Sequence, residues 1–387
     1  PYYVSGIIRN QSSLLVKDLP YFNNTLNIDV MVNSVATKID PKSHTVVVFK
    51  QETGNSSIYP YEKLVLATGA SPIVPEIEGS GLGGIFTMTR LEDAEKVKNF
   101  IVKDKVKKAV LVGAGFIGME MAEAFAALKI DVEIVEAQDW VMPAFLDFET
   151  ARNLEIYLES EGIKVHCGWK VTGFTGNKKN MVTAVVTSGG TIETRMVLLA
   201  IGTRPNVQLA REAGLKIGER GGISVDGYMV TSDPSIYAGG DCVENLHRIT
   251  GRKVLVPLGS TANKHGRIIG TNVTGGSQLF PGVMGTAIAK VFDYNVGRVG
   301  LTEKEAWAAG YSVVTSMVQG NEHATYYPGS KRFLVKMIAN GRDGRVLGAQ
   351  MVGPGDVSKR IDVLATAMSF GASIKDISNL DLSYAPP

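Results

Sequence analysis

The sequence is poor in cysteine, in excess charge of one sign and in long apolar runs. Its 387 residues include only two cysteines, Cys167 and Cys242, too few for a secreted disulfide framework and typical of a reducing compartment. With 40 basic and 38 acidic residues the net charge is only +2, which argues against nucleic-acid and acidic-membrane partners. No uninterrupted apolar stretch of about 18 residues and no signal peptide occurs. We therefore expect a cytoplasmic protein, not bound to membranes, with a small-molecule partner.

Glycine and apolar residues, in contrast, are plentiful. Hydrophobic residues make up 44%, charged residues 20%, and there are 43 glycines, a balance typical of a folded α/β enzyme. At roughly 100–200 residues per domain, the length predicts two or three domains. The texture becomes rich in strands from about Thr286, which indicates a separate C-terminal domain.

The periodicity of apolar residues predicts alternating strands and helices before that point. A strand, a helix and a second strand follow one another without interruption, which is the β-α-β unit of a parallel sheet. The predicted strands are Val46–Phe49, Lys63–Ala67, Ala109–Val112, Val132–Glu136, Met196–Ile201, Ala287–Val291 and Phe333–Ile338. The predicted helices are Leu91–Val102, Phe116–Leu128, Arg152–Glu161 and Lys359–Phe370.

A glycine motif joins the strand at Val112 to the following helix. Gly113 allows the tight turn, Gly115 lets the backbone approach a pyrophosphate, and Gly118 lets the helix pack closely on the strand. The helix N-terminus offers free N–H groups to the anion. The pattern therefore predicts a dinucleotide site that also includes Phe116 and Ile117. The alternative is a glycine turn in a sheet without a ligand.

An acidic residue follows this motif at the expected distance. Glu136 ends the second strand 18 positions after Gly118, near the ~20 positions typical of a carboxylate that binds the ribose hydroxyls. A carboxylate at this place would repel a 2′-phosphate. The sequence therefore favours NADH over NADPH.

A second apolar strand, in the segment Thr231–Asp241, ends in two glycines and an acid. Alone, this Gly-Asp pair could equally be a helix cap. The segment is similar to the flavin-binding pattern of flavoproteins with two dinucleotide-binding domains. The resemblance implies that Gly240 and Asp241 bind FAD, with the Asp241 carboxylate on the ribityl chain.

Other motifs, in the same order along the chain, resemble the FAD-dependent pyridine nucleotide-disulfide oxidoreductases. Leu66–Pro72 and Ala200–Asn206 look like the two crossings between the FAD and NAD domains, with Thr68, Gly69 and Gly202 as cofactor-binding residues. The resemblance implies further roles at four positions. These are an aromatic gate over the nicotinamide pocket at Phe116, a carboxylate near the flavin edge at Glu120, and a helix start beside the flavin at Thr261 and Ala262. Without the family, Phe116 and Glu120 would be a packed aromatic and a solvated charge.

Three stretches resemble coenzyme A-disulfide reductases and their persulfide-reducing relatives within that family. They are Pro1–Gly6, His323–Gly329 and Asp381–Pro387. The resemblance implies a homodimer, a coenzyme A-derived disulfide or persulfide substrate, and a catalytic Tyr384 that reaches the redox cysteine of the partner subunit. No metal site is predicted.

The sequence departs from the family at its start and end. The first FAD glycine motif and the redox cysteine are expected upstream of Pro1, with the cysteine three positions before it, and members continue beyond Pro387. Cys242 follows Asp241 and does not occupy the redox position, so we interpret it and Cys167 as packed residues.

We therefore predict an α/β protein with two dinucleotide-binding, Rossmann-like domains and an α+β dimerisation domain. Residues 1–84 and 206–284 form a discontinuous FAD-binding domain, 85–205 the NAD(P)-binding domain, and 285–387 the dimerisation domain. The predicted activity passes a hydride from NADH or NADPH to FAD and on to a disulfide or persulfide. The alternatives are an NADH oxidase or peroxidase, and a truncated nucleotide-binding module without catalysis.

Overall fold

The computed structural model of the chain describes residues 1–383 and contains two compact units. The first unit combines Pro1–Arg9, Pro72–Gly202 and Met284–Pro387, and the second combines Asn10–Ser71 and Thr203–Val283. Each unit therefore brings together segments that are distant in the sequence. The expected α/β fold class is confirmed.

A five-stranded parallel sheet forms one part of the first unit. The chain alternates apolar strands with helices here, which is why neighbouring strands run parallel. The sheet order is Ile85–Thr87, Val197–Leu199, Lys108–Val112, Asp131–Glu136 and Lys164–Cys167. The helices are Leu91–Asp104, Phe116–Ala127 and Phe148–Ser160, and a separate antiparallel sheet contains Val171–Gly176, Val182–Thr187 and Gly190–Glu193.

The other part of the first unit is a five-stranded antiparallel sheet with helices. Its order is Ala287–Val291, Tyr294–Gly300, Val346–Pro354, Arg332–Asn340 and Val313–Asn321. The helices are Glu303–Ala308, Val357–Ser369 and Ile374–Ser378. Ala289 and Val291 of its first strand share one hydrophobic core with Met119 and Phe125 of the helix Phe116–Ala127.

The second unit combines small sheets with one long helix. Its core contains Ile236, Ala238 and Cys242 beside Ile268 and Ile269 of that helix. The sheets are Ser34–Asp40 with Thr45–Lys50 and Asn55–Pro60, Leu64–Leu66 with Ile236–Ala238, Ala70–Pro72 with Thr203–Pro205, and Asn245–Leu246 with Lys253–Val254. The α-helices are Gln208–Glu212 and Gly259–Val273, with shorter 3₁₀ or π segments at Gln11–Leu14, Tyr21–Thr25 and Gly240–Cys242.

The ends of the predicted elements lie within two residues of the observed ends, except at one helix start. The helix predicted from Arg152 begins at Phe148, because Asp147 adopts the extended backbone of an N-cap and Glu149 lies in the first turn. The strand predicted over Met196–Ile201 is limited to Val197–Leu199, the residues that pair with both neighbouring strands. None of the helices within residues 1–383 is both long and apolar enough to cross a membrane.

Candidate functional site

The loop from Gly113 to Gly118 lies at the carboxyl end of the central strand Lys108–Val112 in the parallel sheet. Gly113 has a φ of +102°, and a Cβ there would lie 2.5 Å from the carbonyl oxygen of Ala200. A Cβ on Gly118 would lie 2.1 Å from the carbonyl oxygen of Gly113. Both positions therefore require glycine, and together they hold the helix Phe116–Ala127 against the strand.

Gly115 differs because open space surrounds it. No heavy atom lies within 4 Å of the position that a Cβ would occupy, and no side chain caps the helix that begins at Phe116. Uncapped first-turn N–H groups and an accessible backbone are what a pyrophosphate requires. The open space at Gly115, which a side chain would fill, therefore fits the pyrophosphate of a dinucleotide.

Backbone hydrogen bonds hold Glu136 beside this loop. Its Oε2 accepts the N–H of Ala114 at 2.8 Å, and its Oε1 accepts the N–H of Gln138 at 2.8 Å. The residue is buried, at 8% exposure. Because each carboxylate oxygen accepts more than one hydrogen bond, both oxygens retain capacity for ribose hydroxyls. That role remains a prediction.

Three further predicted residues of the first unit lie around the same loop. Gly202 follows the strand beside Lys108–Val112 and has a φ of +101°. Phe116 packs edge-on against Phe145, with ring centroids 4.6 Å apart, while Ile117 is 37% exposed. The contact with Phe145 accounts for Phe116 as a packed aromatic, and its function as a gate remains a prediction.

Glu120 lies on the first helical turns after the loop and is partly buried. Burial raises the pKa of its carboxyl, and the neighbouring Glu123 raises it further. Glu123 itself forms an ion pair with Lys290 at 2.5 Å. Glu120 is therefore not the solvated helix charge that the sequence alone allowed.

In the second unit, the strand Ile236–Ala238 ends in the loop predicted to bind FAD. Gly240 has a φ of +81° and begins a short 3₁₀ turn with Asp241 and Cys242. Gly239 is the N-cap of that turn, so Asp241 does not cap it. Burial raises the pKa of the Asp241 carboxyl.

The helix Gly259–Val273 begins close to this loop. A Cβ on Gly240 would lie 3.8 Å from the Cβ of Ala262, and Thr261 beside it is buried. No side chain caps the start of this helix at Leu258. The structure therefore brings Gly240, Asp241, Thr261 and Ala262 together, and they fit the close backbone approach and positive helix end suited to a flavin nucleotide.

Asn206 connects the two predicted crossing motifs, a function that the sequence alone did not assign. Its side-chain amide donates to the carbonyl oxygen of Thr68 at 2.9 Å, and its side-chain oxygen accepts from the hydroxyl of Ser71 at 2.8 Å. The Thr68 hydroxyl donates back to the Asn206 carbonyl at 2.6 Å. Gly69 has a φ of +66° and its own carbonyl accepts the Asn206 N–H at 2.9 Å. In the sequence, the available sign of this contact was that Leu66–Pro72 and Ala200–Asn206 form a pair of crossing motifs.

His265 is a second residue that the sequence did not reveal. It is fully buried, and its Nδ1 accepts the N–H of Gly240 at 3.0 Å. A lone histidine in a mixed helix gives no local sign of such a contact.

Both cysteines are packed, as we expected. Burial raises the pKa of the Cys167 thiol to about 12, and the carboxylate of Glu155, 3.5 Å from its Sγ, adds to the effect. Cys242 is fully buried and its thiol donates to the carbonyl oxygen of Gly239. Tyr384 lies outside the described residues, and within residues 1–383 no cluster of His, Cys, Asp and Glu suited to a metal is found.

Two features define a class of oxidoreductases that use two nucleotide cofactors. One is a parallel sheet with a dinucleotide loop, and the other is a second nucleotide loop on a discontinuous unit. The chain belongs to the pyridine nucleotide-disulphide oxidoreductases: residues 8–266 match this family, and residues 286–387 match its dimerisation domain. The expected family and enzyme class are thereby confirmed.

Individual relatives agree over the whole chain. It is 37% identical over 387 residues to an NADH oxidase of Methanocaldococcus jannaschii and 38% identical over 389 residues to an NAD(P)H coenzyme A polysulfide/persulfide reductase of Pyrococcus horikoshii, covering 100% of this chain and 85% of each relative. Among solved structures, an NAD-dependent persulfide reductase from A. fulgidus superposes with a TM-score of 0.97 at 44% identity, over 100% of this chain and 72% of that one. FAD-dependent members also match, which confirms FAD and NAD(P)H as the cofactors.

Proposed function

We propose that this protein transfers a hydride from NADH to FAD and then two electrons to a disulfide or persulfide of coenzyme A. The observation that carries the proposal is the Gly113–Gly118 loop with the Glu136 carboxylate fixed 2.8 Å from the Ala114 nitrogen. The names of the relatives from P. horikoshii and A. fulgidus support the substrate class. For coenzyme A disulfide, one NADH and one proton yield NAD⁺ and two thiols.

The residues of the first unit bind and orient the nicotinamide nucleotide. Gly115 and the uncapped helix end bind the pyrophosphate, and Glu136 accepts the ribose hydroxyls. Phe116 and Ile117 cover the nicotinamide pocket, and Gly202 lets the chain turn beside Gly113. Glu120, whose pKa burial raises, supplies a carboxyl near the reacting rings.

The residues of the second unit hold the flavin nucleotide. Asp241 accepts the ribityl hydroxyls, and the start of the helix at Thr261 and Ala262 presents N–H groups to the isoalloxazine ring. Thr68 and Gly69, held by Asn206, shape the crossing strand beside it. When bound, FAD supplies the two-electron redox chemistry.

The wider organisation belongs to the same proposal. The four segments 1–84, 85–205, 206–284 and 285–387 act as the two parts of the FAD domain, the NAD domain and the dimerisation domain. A cytoplasmic homodimer, in which Tyr384 of one subunit reaches the redox cysteine of the other, completes the site. The match of residues 286–387 to a dimerisation domain supports the dimer.

Stopped-flow reoxidation tests the acceptor. The purified flavoprotein is reduced anaerobically with one equivalent of NADH and mixed with coenzyme A disulfide or with oxygen. We expect fast flavin reoxidation by the disulfide with release of two thiols. Rapid reoxidation by oxygen without disulfide turnover would instead establish an NADH oxidase, the activity named for the M. jannaschii relative.

Gly115→Ala provides the matched control for the donor side. Its methyl group would fill the space left open for the pyrophosphate, so subsaturating NADH should reduce the flavin at least about tenfold more slowly, while dithionite should reduce it as in the wild type. A colourless purified protein that binds NADH would contradict the proposal and indicate a nucleotide-binding module without catalysis.

A further inference from the structure

His265 lies beneath the turn that carries Asp241, and its contacts fix it there. It is on the second turn of the helix Gly259–Val273 and is fully buried. Its ring meets Phe280 edge-on, with centroids 4.5 Å apart. A Cβ on Gly239 would lie 3.0 Å from the Cβ of His265, so glycine at that position lets the histidine approach the loop backbone.

The hydrogen bond to Gly240 determines the protonation state of the ring. Because Nδ1 accepts the Gly240 N–H at 3.0 Å, the single proton of the neutral imidazole is on Nε2. Burial lowers the pKa of His265 to about 4, so the ring stays neutral at physiological pH. Within residues 1–383, Nε2 has no hydrogen-bond partner. The ring therefore acts in this fold as an acceptor for one backbone N–H.

That N–H controls the direction of the flavin loop. Gly240 adopts a left-handed conformation, with a φ of +81°, immediately before Asp241. Fixing its nitrogen on the helix therefore fixes the plane of the peptide that precedes the turn. The same helix carries Ala262 against Gly240, so His265 and Ala262 hold the loop at two points one turn apart.

We propose that His265 is a positioning residue for FAD: its Nδ1 holds the Gly240–Asp241 turn in the geometry in which the Asp241 carboxylate meets the ribityl hydroxyls. This inference rests on the proposed assignment of Asp241. It predicts that the affinity for FAD depends on the acceptor atom at the Nδ1 position and not only on the volume that the ring fills.

Three substitutions separate the acceptor from packing. The variant His265→Asn places an amide oxygen near the position of Nδ1. The variant His265→Gln places an amide oxygen near the position of Nε2. The variant His265→Leu provides no acceptor. FAD is removed, and its dissociation constant for each apoprotein is measured by flavin fluorescence. Because a buried N–H without a partner is costly, we expect Gln and Leu to weaken FAD binding about tenfold to a hundredfold and Asn to stay within about threefold of wild type.

Two controls make each outcome decisive. Far-UV circular dichroism and thermal unfolding of the apoproteins show whether each variant is folded, and NADH binding, which uses the first unit, should stay unchanged. The comparison of His265→Asn with His265→Gln suffices if His265→Leu does not fold. Equal FAD affinity for the Asn and Gln variants would overturn the role of His265. Asp241→Asn tests the underlying assignment separately, since unchanged FAD affinity in that variant would refute the ribityl contact itself.

Discussion

In the proposed function, the charge of Glu136 sets the preference for NADH, and the hydrogen-bond partners of its carboxylate are backbone groups. It accepts N–H groups of Ala114 and Gln138, both at 2.8 Å, and is almost fully buried. These hydrogen bonds anchor the carboxylate in one orientation, and within residues 1–383 no ion pair neutralises it. A phosphate on the 2′ oxygen would therefore meet an uncompensated negative charge.

Replacing this charge should relax the preference for NADH. In Glu136→Gln, which keeps the shape of the side chain, we expect the ratio of the dissociation constants for NADPH and NADH to fall by about tenfold or more. Fluorescence titration with both nucleotides measures the ratio. Asp131→Asn removes the same charge from the exposed far end of the same strand and should leave it unchanged. An unaltered ratio in Glu136→Gln would argue against the ribose contact.

Cys167 should behave as an unreactive thiol at neutral pH. Because burial and Glu155 raise its pKa to about 12, the thiol stays protonated and its alkylation rate should rise about tenfold per pH unit from pH 7 to 10 without a plateau. Iodoacetamide labelling followed by mass spectrometry measures this rate. In the urea-unfolded chain both cysteines should titrate near the ordinary value of ~8.5. A plateau near that value in the folded protein contradicts the prediction.

At the scale of elements, the three glycines of the nucleotide loop perform two separable functions. Gly113 and Gly118 permit the strand and the helix to pack, since a Cβ at either position would overlap backbone atoms. Gly115 faces open space, and its proposed function is to let the pyrophosphate of the ligand approach. A strand that leads directly into glycines and then a helix is a short-range signal, which explains why this element could be predicted from the sequence.

Alanine substitutions should separate these functions. Gly118→Ala should lower the midpoint of thermal unfolding and abolish NADH binding, because its Cβ would lie 2.1 Å from the Gly113 oxygen. Gly115→Ala should unfold like the wild type and still lose at least about tenfold in NADH affinity. Gly266→Ala, in an exposed helical position with no atom within 4 Å, is the control and should stabilise by about 0.5–1 kcal/mol. If Gly115→Ala binds NADH as tightly as the wild type, the open space at Gly115 does not hold the pyrophosphate.

At the scale of the molecule, a buried lysine joins the C-terminal sheet to the nucleotide-binding part of the first unit. Lys336 is 3% exposed, and its Nζ lies 2.8 Å from Glu149 and 2.7 Å from Glu303, with Asp147 at 3.4 Å. Burial alone would raise the pKa of Glu149, but the ion pair with Lys336 lowers it below the ordinary value. The cluster and the shared apolar core indicate that the two parts unfold together.

Lys336→Met should therefore destabilise the first unit as a whole. Removing the cation leaves three carboxylates without it, and since two of them are partly exposed we expect a loss of about 2–3 kcal/mol at pH 7. Because the pKa of Glu149 is lowered in the folded protein, its ion pair contributes to the free energy of unfolding at pH values above the ordinary pKa of 4.5. This contribution disappears as the pH falls through the pKa of the folded state. The difference between wild type and variant should thus shrink below pH 4.5 in urea unfolding curves. A difference that stays constant as the pH falls from 7 to about 3 would show that the ion pairs contribute little.

Some parts of this site could be predicted because their signals are local. The spacing from Gly118 to Glu136 and the strand before Gly240 are patterns of nearby residues, and the helix start at Thr261 followed from the resemblance to the family. Thr68 and Asn206, in contrast, are 138 positions apart and meet only through the fold. The contacts of His265 with Gly240 and of Lys336 with Glu149 likewise have no local pattern.

The sequence by itself determined the α/β class, the dinucleotide loop and the family, because periodicity, glycine turns and motif order are properties of contiguous segments. Only the tertiary structure decided which buried polar groups hold the loops in place. Three features arise from burial. They are the hydrogen bond between Glu136 and the Ala114 N–H, the hydrogen bond between His265 and the Gly240 N–H, and the raised pKa of the Cys167 thiol. Burial depends on distant segments that pack together, and a lone histidine or cysteine in the sequence does not report what covers it.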